Sequence, residues 1–365
     1  MHLEVREKNR KRKYFLSHSY RKGGKVRKER IYLGTNLAPG ILDKRRRLAA
    51  LELRKKLMAD SVFPQKELPD MMQMTGKSDA IRGAVYTANQ EKELFTALFG
   101  RSEIPLKYQY LKEGAQNWID AAASPKYAIQ LNELNLVRKI SRRIRALTSY
   151  ENVFDIGCGD GKKARVLLNQ RIGYFPIDLS EDMLEVAIKE NQKGSRIAIP
   201  YVRDFEEGNF ADVTYKYKNQ SNLFIFLGNT VGNSFNKARL LENIRESLAK
   251  KDYLLIGVEQ RRNTMDTLRH YDNEEVFKYV TGTTRKLLSV SDALDIRFNR
   301  RKKQVEIRCS PADNPRKKIL VLVSYKPTKK EMHSLLENNG FEVVEDYEDE
   351  KKTSLLVLCR PKQLK

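Results

Sequence analysis

Residues 153–161 read VFDIGCGDG, an apolar run that passes directly into a loop with glycine at every second position. Further short apolar runs follow at 174–179 (YFPIDL), 223–229 (LFIFLGN) and 253–259 (YLLIGVE), and segments with helical spacing of apolar residues lie between them. Strands that alternate with amphipathic helices are typical of a parallel, doubly wound sheet. The sequence therefore predicts an α/β protein with a Rossmann-like core at 151–259.

The helices expected within this core follow the strands in order, at 162–169, 182–190 and 236–250. A further strand, AIPYVRD, is expected at 198–204. The remaining predicted regions are a basic β-meander plus helix at 1–60, a helical part at 77–150, an inserted α+β substrate domain at 260–325, and a closing helix with a β-hairpin at 326–365. A Pro- and Met-containing linker at 63–76 is the expected domain boundary.

The first 60 residues carry 19 basic and 6 acidic side chains, a net charge of +13 out of the +23 of the whole chain. Their strands are expected within 2–34, with Gly23-Gly24 as a hairpin turn and a basic amphipathic helix at 40–58. A concentrated basic segment predicts attraction to polyanions, most commonly nucleic acid. A solvated basic surface that binds nothing specific is the open alternative.

Three scattered cysteines and four histidines give no spacing typical of a disulfide framework, a metal site or a catalytic dyad. No metal is therefore expected. The sequence shows no signal-peptide pattern and no apolar run long enough to span a bilayer, so we expect a cytoplasmic protein without a membrane partner.

The loop at 157–161 is the expected cofactor site, because glycines let a backbone approach a ligand closely. Asp178 follows 21 residues after Gly157, at the end of the second strand, where a carboxylate can accept both hydroxyls of a ribose. At the end of the third strand, Asp204-Phe205 can bond an adenine amine and cover its face. Gly-x-Gly-x-Gly spacing favours an adenosyl ligand over a dinucleotide, and glycines used only for turns remain the alternative.

Several segments resemble the histidine-specific S-adenosylmethionine-dependent methyltransferases. They are KYQYLKEGAQNW (107–118) followed by Tyr127 and Glu133, FLGNTVGN (226–233), LLIGVE (254–259) followed by RHYDNEE, QVEIR, and SYKP. The resemblance covers about residue 104 to the C-terminus and implies a class I methyltransferase fold with S-adenosylmethionine as cofactor. Residues 1–60 have no counterpart in that family.

The resemblance implies roles for named residues. Cofactor-binding positions are Asp155, Gly157, Gly159, Gly161, Lys162, Asp178, Asp204, Phe205 and Gly228. Substrate-binding positions are Tyr110, Asn233, Tyr271 and Glu306, of which Tyr110 and Tyr271 would orient the amine in catalysis. Glu306 would accept a hydrogen bond from an imidazole or another cationic group.

Two features separate this chain from the family pattern. The loop reads GCGDG where the family more often has a Ser- and Thr-containing version, and the segment between Tyr271 and Glu306 is shorter. The function expected first is an N-methyltransferase that acts on an amino acid or related amine, most simply one like histidine. The alternatives are a methyltransferase acting on RNA or an RNA-associated protein, and a binding protein that keeps the fold without turnover.

Overall fold

The computed structural model describes residues 2–8, 11–22, 25–37, 42, 45, 49, 93–94, 96–111, 113–124, 129–262, 264–287 and 289–362. The chain divides into two compact units, Met1–Gly100 and Arg101–Lys365. The predicted linker at 63–76 lies outside the described residues, as do Gly23-Gly24 and most of the predicted helix at 40–58. The predicted domain limits therefore remain predictions.

The first unit contains a three-stranded antiparallel sheet in the order β1 (His2–Lys8), β2 (Lys11–Lys22) and β3 (Lys25–Thr35). The expected meander is thus present, and it ends at Thr35, one residue beyond the predicted range. One face carries a small apolar cluster around Leu16, Leu33 and Ala49. The cluster gives this sheet the packing partner that a small meander needs for stability.

The second unit alternates helices and strands. In chain order these are α1 (Glu113–Ala123), α2 (Ile129–Thr148), β4 (Asn152–Ile156), α3 (Lys162–Arg165), β5 (Gly173–Asp178), α4 (Glu181–Asn191), β6 (Ile197–Ala198), β7 (Tyr201–Val202), α5 (Ala211–Thr214), β8 (Asn222–Phe226), α6 (Thr230–Asn233), α7 (Lys237–Ser247), β9 (Tyr253–Glu259), α8 (Thr264–Arg269), α9 (Glu274–Leu287), β10 (Asp295–Asn299), β11 (Gln304–Cys309), β12 (Ile319–Tyr325), α10 (Lys329–Asn338), β13 (Phe341–Glu348) and β14 (Ser354–Pro361).

The central sheet runs in the order β13-β14-β9-β8-β4-β5-β6, and β7 pairs with β5 beyond β6. Neighbours from β9 to β6 are parallel, whereas β14 is antiparallel to both β9 and β13. The strand order reverses between β4 and β8, so the carboxyl ends of these two strands open a crevice of the kind in which doubly wound sheets bind ligands. This architecture confirms the predicted fold class.

Side-chain alternation along the strands supplies a core on each face of the sheet, because successive residues of a strand point to opposite sides. One core combines Phe154, Phe175 and Phe224 with residues of α7 and α10. The other combines Val153 and Tyr174 with residues of α2 and α4. Both faces are therefore covered, as a parallel sheet requires.

Two predicted elements differ in detail. The strand expected at 198–204 is divided into β6 and β7, which flank Pro200, a residue that cannot donate to a strand ladder. The helix expected at 162–169 ends at Arg165. Just beyond this end, the Leu167 carbonyl accepts from the hydroxyl of Tyr150 at 2.6 Å and from Arg145 at 3.2 Å.

The segment after β9 forms α8, α9 and a separate antiparallel sheet in the order β10-β11-β12. The helical part expected at 77–150 contains α1 and α2, with residues 125–128 between them outside the described part. None of the helices in the described ranges is long and apolar enough to cross a membrane.

Candidate active site

The loop between β4 and α3 depends on three glycines. Gly157, Gly159 and Gly161 have φ values of 64°, 54° and 73°, a region that L side chains rarely adopt. The Gly157 N–H donates to the carbonyl of Ile177 at 2.8 Å, which ties the loop to β5. The backbone therefore turns sharply at the point where β4 ends.

Close approach is the second reason for glycine in this loop. A Cβ at Gly159 would lie 2.8 Å from the indole ring of Trp118 on α1. A Cβ at Gly157 would lie 3.4 Å from Phe205 and 3.3 Å from Thr230, two residues that line the same cavity. The loop thus forms a cradle that any side chain would fill.

Two buried carboxylates flank the cradle. The Asp178 carboxylate accepts from the Ser180 N–H at 3.0 Å, and burial raises its pKa to about 6. The Asp155 carboxylate accepts from the Tyr174 hydroxyl at 3.0 Å, and burial raises its pKa to about 8. Asp178 sits at the end of β5, as expected of a carboxylate that grips a ribose.

Asp204 follows β7 on the next side of the cavity. Its Oδ1 accepts from the Glu206 N–H at 3.1 Å, and its Oδ2 contacts the Lys107 ammonium at 2.8 Å. Both side chains of this ion pair are nearly buried, at 10% and 14% exposure. The adjacent Phe205 ring packs edge-on against Phe226, with 5.8 Å between centroids.

Gly228 follows β8 with a φ of 76° and lies beside a buried charge cluster. Its N–H donates to both oxygens of Glu133, at 2.8 and 3.1 Å. The Lys163 ammonium is ion-paired with the same carboxylate and also donates to Gln130. Glu133 on α2 therefore fixes the end of β8 relative to α3.

Tyr110 and Asn233 face the opposite part of the cavity. The Tyr110 ring lies against Trp118 and Tyr279, with centroids 6.4 and 5.6 Å apart. Burial is the main reason why the pKa of its hydroxyl is raised, so the group remains a neutral hydrogen-bonding phenol, and Asn233 is one of its hydrogen-bonding neighbours. The Asn233 Oδ1 accepts from Asn229 at 3.3 Å.

These groups meet in one cavity, which encloses about 900 Å³ of space including its open mouth. The predicted cofactor residues among its lining are Asp155, Gly157, Gly159, Asp178, Asp204, Phe205 and Gly228. The predicted substrate residues among it are Tyr110 and Asn233. The glycine cradle and the buried Asp178 carboxylate fit the ribose and backbone contacts of an adenosyl ligand.

Residues 90–282, more than half of the chain, match the family model described as histidine-specific, S-adenosylmethionine-dependent methyltransferase. The chain belongs to this family. The description of this family as S-adenosylmethionine-dependent agrees with the predicted cofactor.

A curated relative of this methyltransferase is the histidine N-alpha-methyltransferase of Mycolicibacterium smegmatis, 26% identical over 188 residues. The match covers 47% of this chain and 55% of the relative, so the chain spans about half of the relative's length. Solved structures with a similar fold include the CcbJ methyltransferase from Streptomyces caelestis, at 12% identity, a TM-score of 0.40, and coverage of 62% of this chain and 90% of that one. Another is magnesium protoporphyrin IX methyltransferase from Synechocystis PCC 6803 with bound SAH, at 12% identity, a TM-score of 0.43, and coverage of 70% and 98%.

Tyr271 of the methyltransferase lies behind Asn233 and does not line the cavity. Its hydroxyl donates to Ser324 at 3.0 Å, and Ser324 accepts from Asn229 at 2.8 Å. The fully buried Lys326 ammonium donates to both Tyr271 and Ser324 and is ion-paired with Glu259. A continuous polar chain therefore connects β9 and β12 with Asn233.

Glu306 also lies outside the cavity lining. Its carboxylate accepts from Asn299 and Gln304, each at 2.9 Å, and from Arg308 at 2.5 Å. Burial opposes ionisation, but these hydrogen bonds together hold the pKa below its usual value. The carboxylate is thus ionised, and its hydrogen-bonding partners come from the β10-β11-β12 sheet and its turn.

Gly161 and Lys162 do not line the cavity, and their contacts lie within and behind the loop. A Cβ at Gly161 would lie 2.5 Å from the Asn191 amide, and the exposed Lys162 pairs with Asp160 at 2.8 Å. Tyr127, one of the family-like positions, lies outside the described residues.

Several side chains that line the cavity were not assigned a role from the sequence, notably Lys107, Trp118 and Lys163. Lys107 and Trp118 bound the family-like segment 107–118, which was the available signal for them. Lys163 gave no signal, because only its ion pair with a distant glutamate on α2 distinguishes it from the neighbouring Lys162.

Proposed function

We propose that the chain transfers a methyl group from S-adenosylmethionine to the amine of an amino acid, with histidine or a close relative as acceptor. The main support is that Tyr110 and Asn233 line the same cavity as the glycine cradle and Asp178. The name of the Mycolicibacterium smegmatis relative supports a histidine-like acceptor.

In this proposal Asp178 would accept hydrogen bonds from the ribose hydroxyls, the 157–159 backbone would hold the adenosyl group, and Asp204 and Phe205 would bind the adenine. S-Adenosylmethionine would supply an electrophilic methyl group on a sulfonium. A neutral amine in line with the C–S bond would take this methyl, with the thioether S-adenosylhomocysteine (SAH) as leaving group and the positive charge passing to the nitrogen. Such a reaction depends on alignment and exclusion of water more than on an acid or a base.

On the acceptor side, the neutral phenol of Tyr110 and the amide of Asn233 would bind and orient the amino group and carboxylate. Tyr271 would act as a positioning residue through Ser324 and Asn229. Direct contact of the substrate with Tyr271 or Glu306 stays a prediction, because neither side chain is among those that line the cavity.

The test is calorimetry with SAH, followed by titration of histidine and a panel of amino acids, and mass spectrometry of methylated products. Asn233→Ala should reduce kcat/KM for the acceptor at least tenfold, because one polar partner of the substrate is lost. Its affinity for SAH should stay within about twofold of wild type.

Asn338→Ala, a truncation on α10 outside the cavity, provides the control and should leave both quantities unchanged. If SAH binds but no amino acid is bound or methylated, the acceptor assignment is wrong while the cofactor assignment stands. RNA as methyl acceptor stays the alternative prediction, and the same assay with total RNA distinguishes it.

A further inference from the structure

The hairpin formed by β2 and β3 is longer than β1, the other strand of the N-terminal sheet. β1 pairs with β2 from Lys11 to Ser17, whereas β2 and β3 remain paired out to Lys22 and Lys25. Residues 18–22 and 25–29 therefore form a two-stranded ribbon with five residues in each strand, or about 16 Å at 3.3 Å per residue.

The ribbon is basic and open to solvent. Lys25, Val26, Arg27 and Lys28 are all exposed, and Val26 retains 68% of its accessible surface. Val26 is therefore apolar, exposed and next to three cations, and it takes no part in the apolar cluster of the β1-β2-β3 sheet. The residues of the core face end at Leu16 and Ile31, before the ribbon begins.

The cations lie on both faces of the ribbon. Lys25 and Arg27 share the face of Ile31, since alternate residues of a strand point the same way. Lys28 points to the other face, together with Arg30 just beyond the ribbon, and Glu4 pairs with both at 2.9 and 3.1 Å. The first face carries Lys25 and Arg27 without Glu4 beside them, and the acidic residue on that face is Glu29 of the same strand.

We propose that this ribbon inserts into the major groove of double-stranded DNA. The major groove of B-form DNA is about 12 Å wide and admits a two-stranded β-ribbon. Cations on both faces of an inserted ribbon reach the phosphates of both groove walls, and Val26 reaches base edges. The major groove of A-form RNA is too deep and narrow for such insertion, so the geometry favours DNA over duplex RNA.

The test is fluorescence anisotropy of the full chain with a labelled 20-base-pair DNA duplex across a salt series. We expect micromolar affinity near 0.1 M salt, as for sequence-independent binding. The double variant Lys25→Ala/Arg27→Ala should weaken binding about tenfold and reduce the slope of log K against log salt by about two.

The double variant Lys250→Ala/Lys251→Ala removes the same charge from an exposed turn of the second unit and should change neither affinity nor slope appreciably. Duplex RNA and single-stranded DNA of the same length should bind several-fold more weakly than duplex DNA. Equal binding of duplex RNA, or equal losses in the two double variants, would overturn groove insertion in favour of attraction by net charge alone. Circular dichroism of each variant excludes loss of folding as the cause.

Discussion

Asp178 combines burial with a position at the carboxyl end of β5, so its protonation state controls what it can accept from a ligand. Burial raises its pKa from 3.8 to about 6. The ionised carboxylate offers acceptors to both hydroxyls of a ribose, whereas the protonated form loses part of that capacity.

Cofactor binding should therefore depend on pH. Above about pH 6 the carboxylate is ionised and its contribution to SAH affinity should be full, and below that pH this contribution should make the affinity fall toward tenfold per pH unit. Asp178→Asn should lower affinity at pH 7.5 by about 10- to 100-fold, the value of a hydrogen bond to a charged group, and should flatten the pH profile between 5 and 7. Calorimetry with SAH at several pH values measures both effects.

Asp252 provides a matched control, because burial also raises its pKa to about 6 while it bonds to Asn222, away from the cavity. Asp252→Asn should keep the wild-type pH profile of SAH binding. A profile that stays pH-dependent in Asp178→Asn would assign the titration to another group.

The residues that sequence reasoning placed in the cavity share a simple property. Asp178, Asp204 and Gly228 follow the ends of parallel strands, which meet at one edge of the sheet regardless of the intervening helices. Tyr271 and Glu306 belong to the inserted segment, where no periodicity dictates position. Their places depend on side-chain contacts, such as those of Glu306 with Arg308, that a pattern of residue types does not encode.

At the scale of elements, the cofactor loop is shaped by α1 as well as by its own glycines. The indole of Trp118 occupies the space in which a side chain at residue 159 would lie. The segment 107–118 and the loop at 157–161 are therefore complementary surfaces, although they are separated by about 40 residues of sequence.

Gly159→Ala should test this complementarity. The added Cβ meets Trp118 at 2.8 Å, and the backbone φ of 54° adds a strain of about 1 kcal/mol. We expect SAH affinity to fall at least tenfold and the melting temperature to fall by a few degrees, measured by calorimetry and thermal denaturation.

Gly208→Ala is the matched control, because a Cβ there meets nothing within 4 Å. It should change neither quantity appreciably. In a Trp118→Ala background, Gly159→Ala should cost less stability than in the wild type, since the clash with the indole is already absent and backbone strain is its remaining cost. An equal cost in both backgrounds would mean that the loop conformation, and not Trp118, sets the requirement for glycine.

The helices and strands could be predicted where the local pattern of apolar and polar residues alone determines them. Strands β4, β5, β8 and β9 are almost fully buried and largely apolar, and each lies where the sequence placed it. The end of α3 at Arg165 has no comparable local signal, and just beyond it the Leu167 carbonyl accepts from Tyr150 and Arg145. Contacts of this kind become visible only when distant segments are brought together.

At the scale of the whole molecule, each of the two units contains an apolar cluster of its own among the described residues. The small cluster around Leu16 and Leu33 belongs to the basic sheet, whereas the two clusters of the central sheet begin at Leu136. The family match starts at residue 90, so it includes hardly any of the first unit.

A chain shortened to residues 90–365 should therefore fold and bind SAH with an affinity within about twofold of the full chain. Its melting temperature should differ by only a few degrees, because neither core of the central sheet loses a member. Calorimetry measures the SAH affinity and circular dichroism the melting temperature. The full chain carrying Lys25→Ala/Arg27→Ala is the control, because it loses charge but keeps the first unit. A shortened chain that is unfolded or does not bind SAH would show that the first unit is needed to complete the methyltransferase unit, since the charge variant retains that unit and should bind SAH normally.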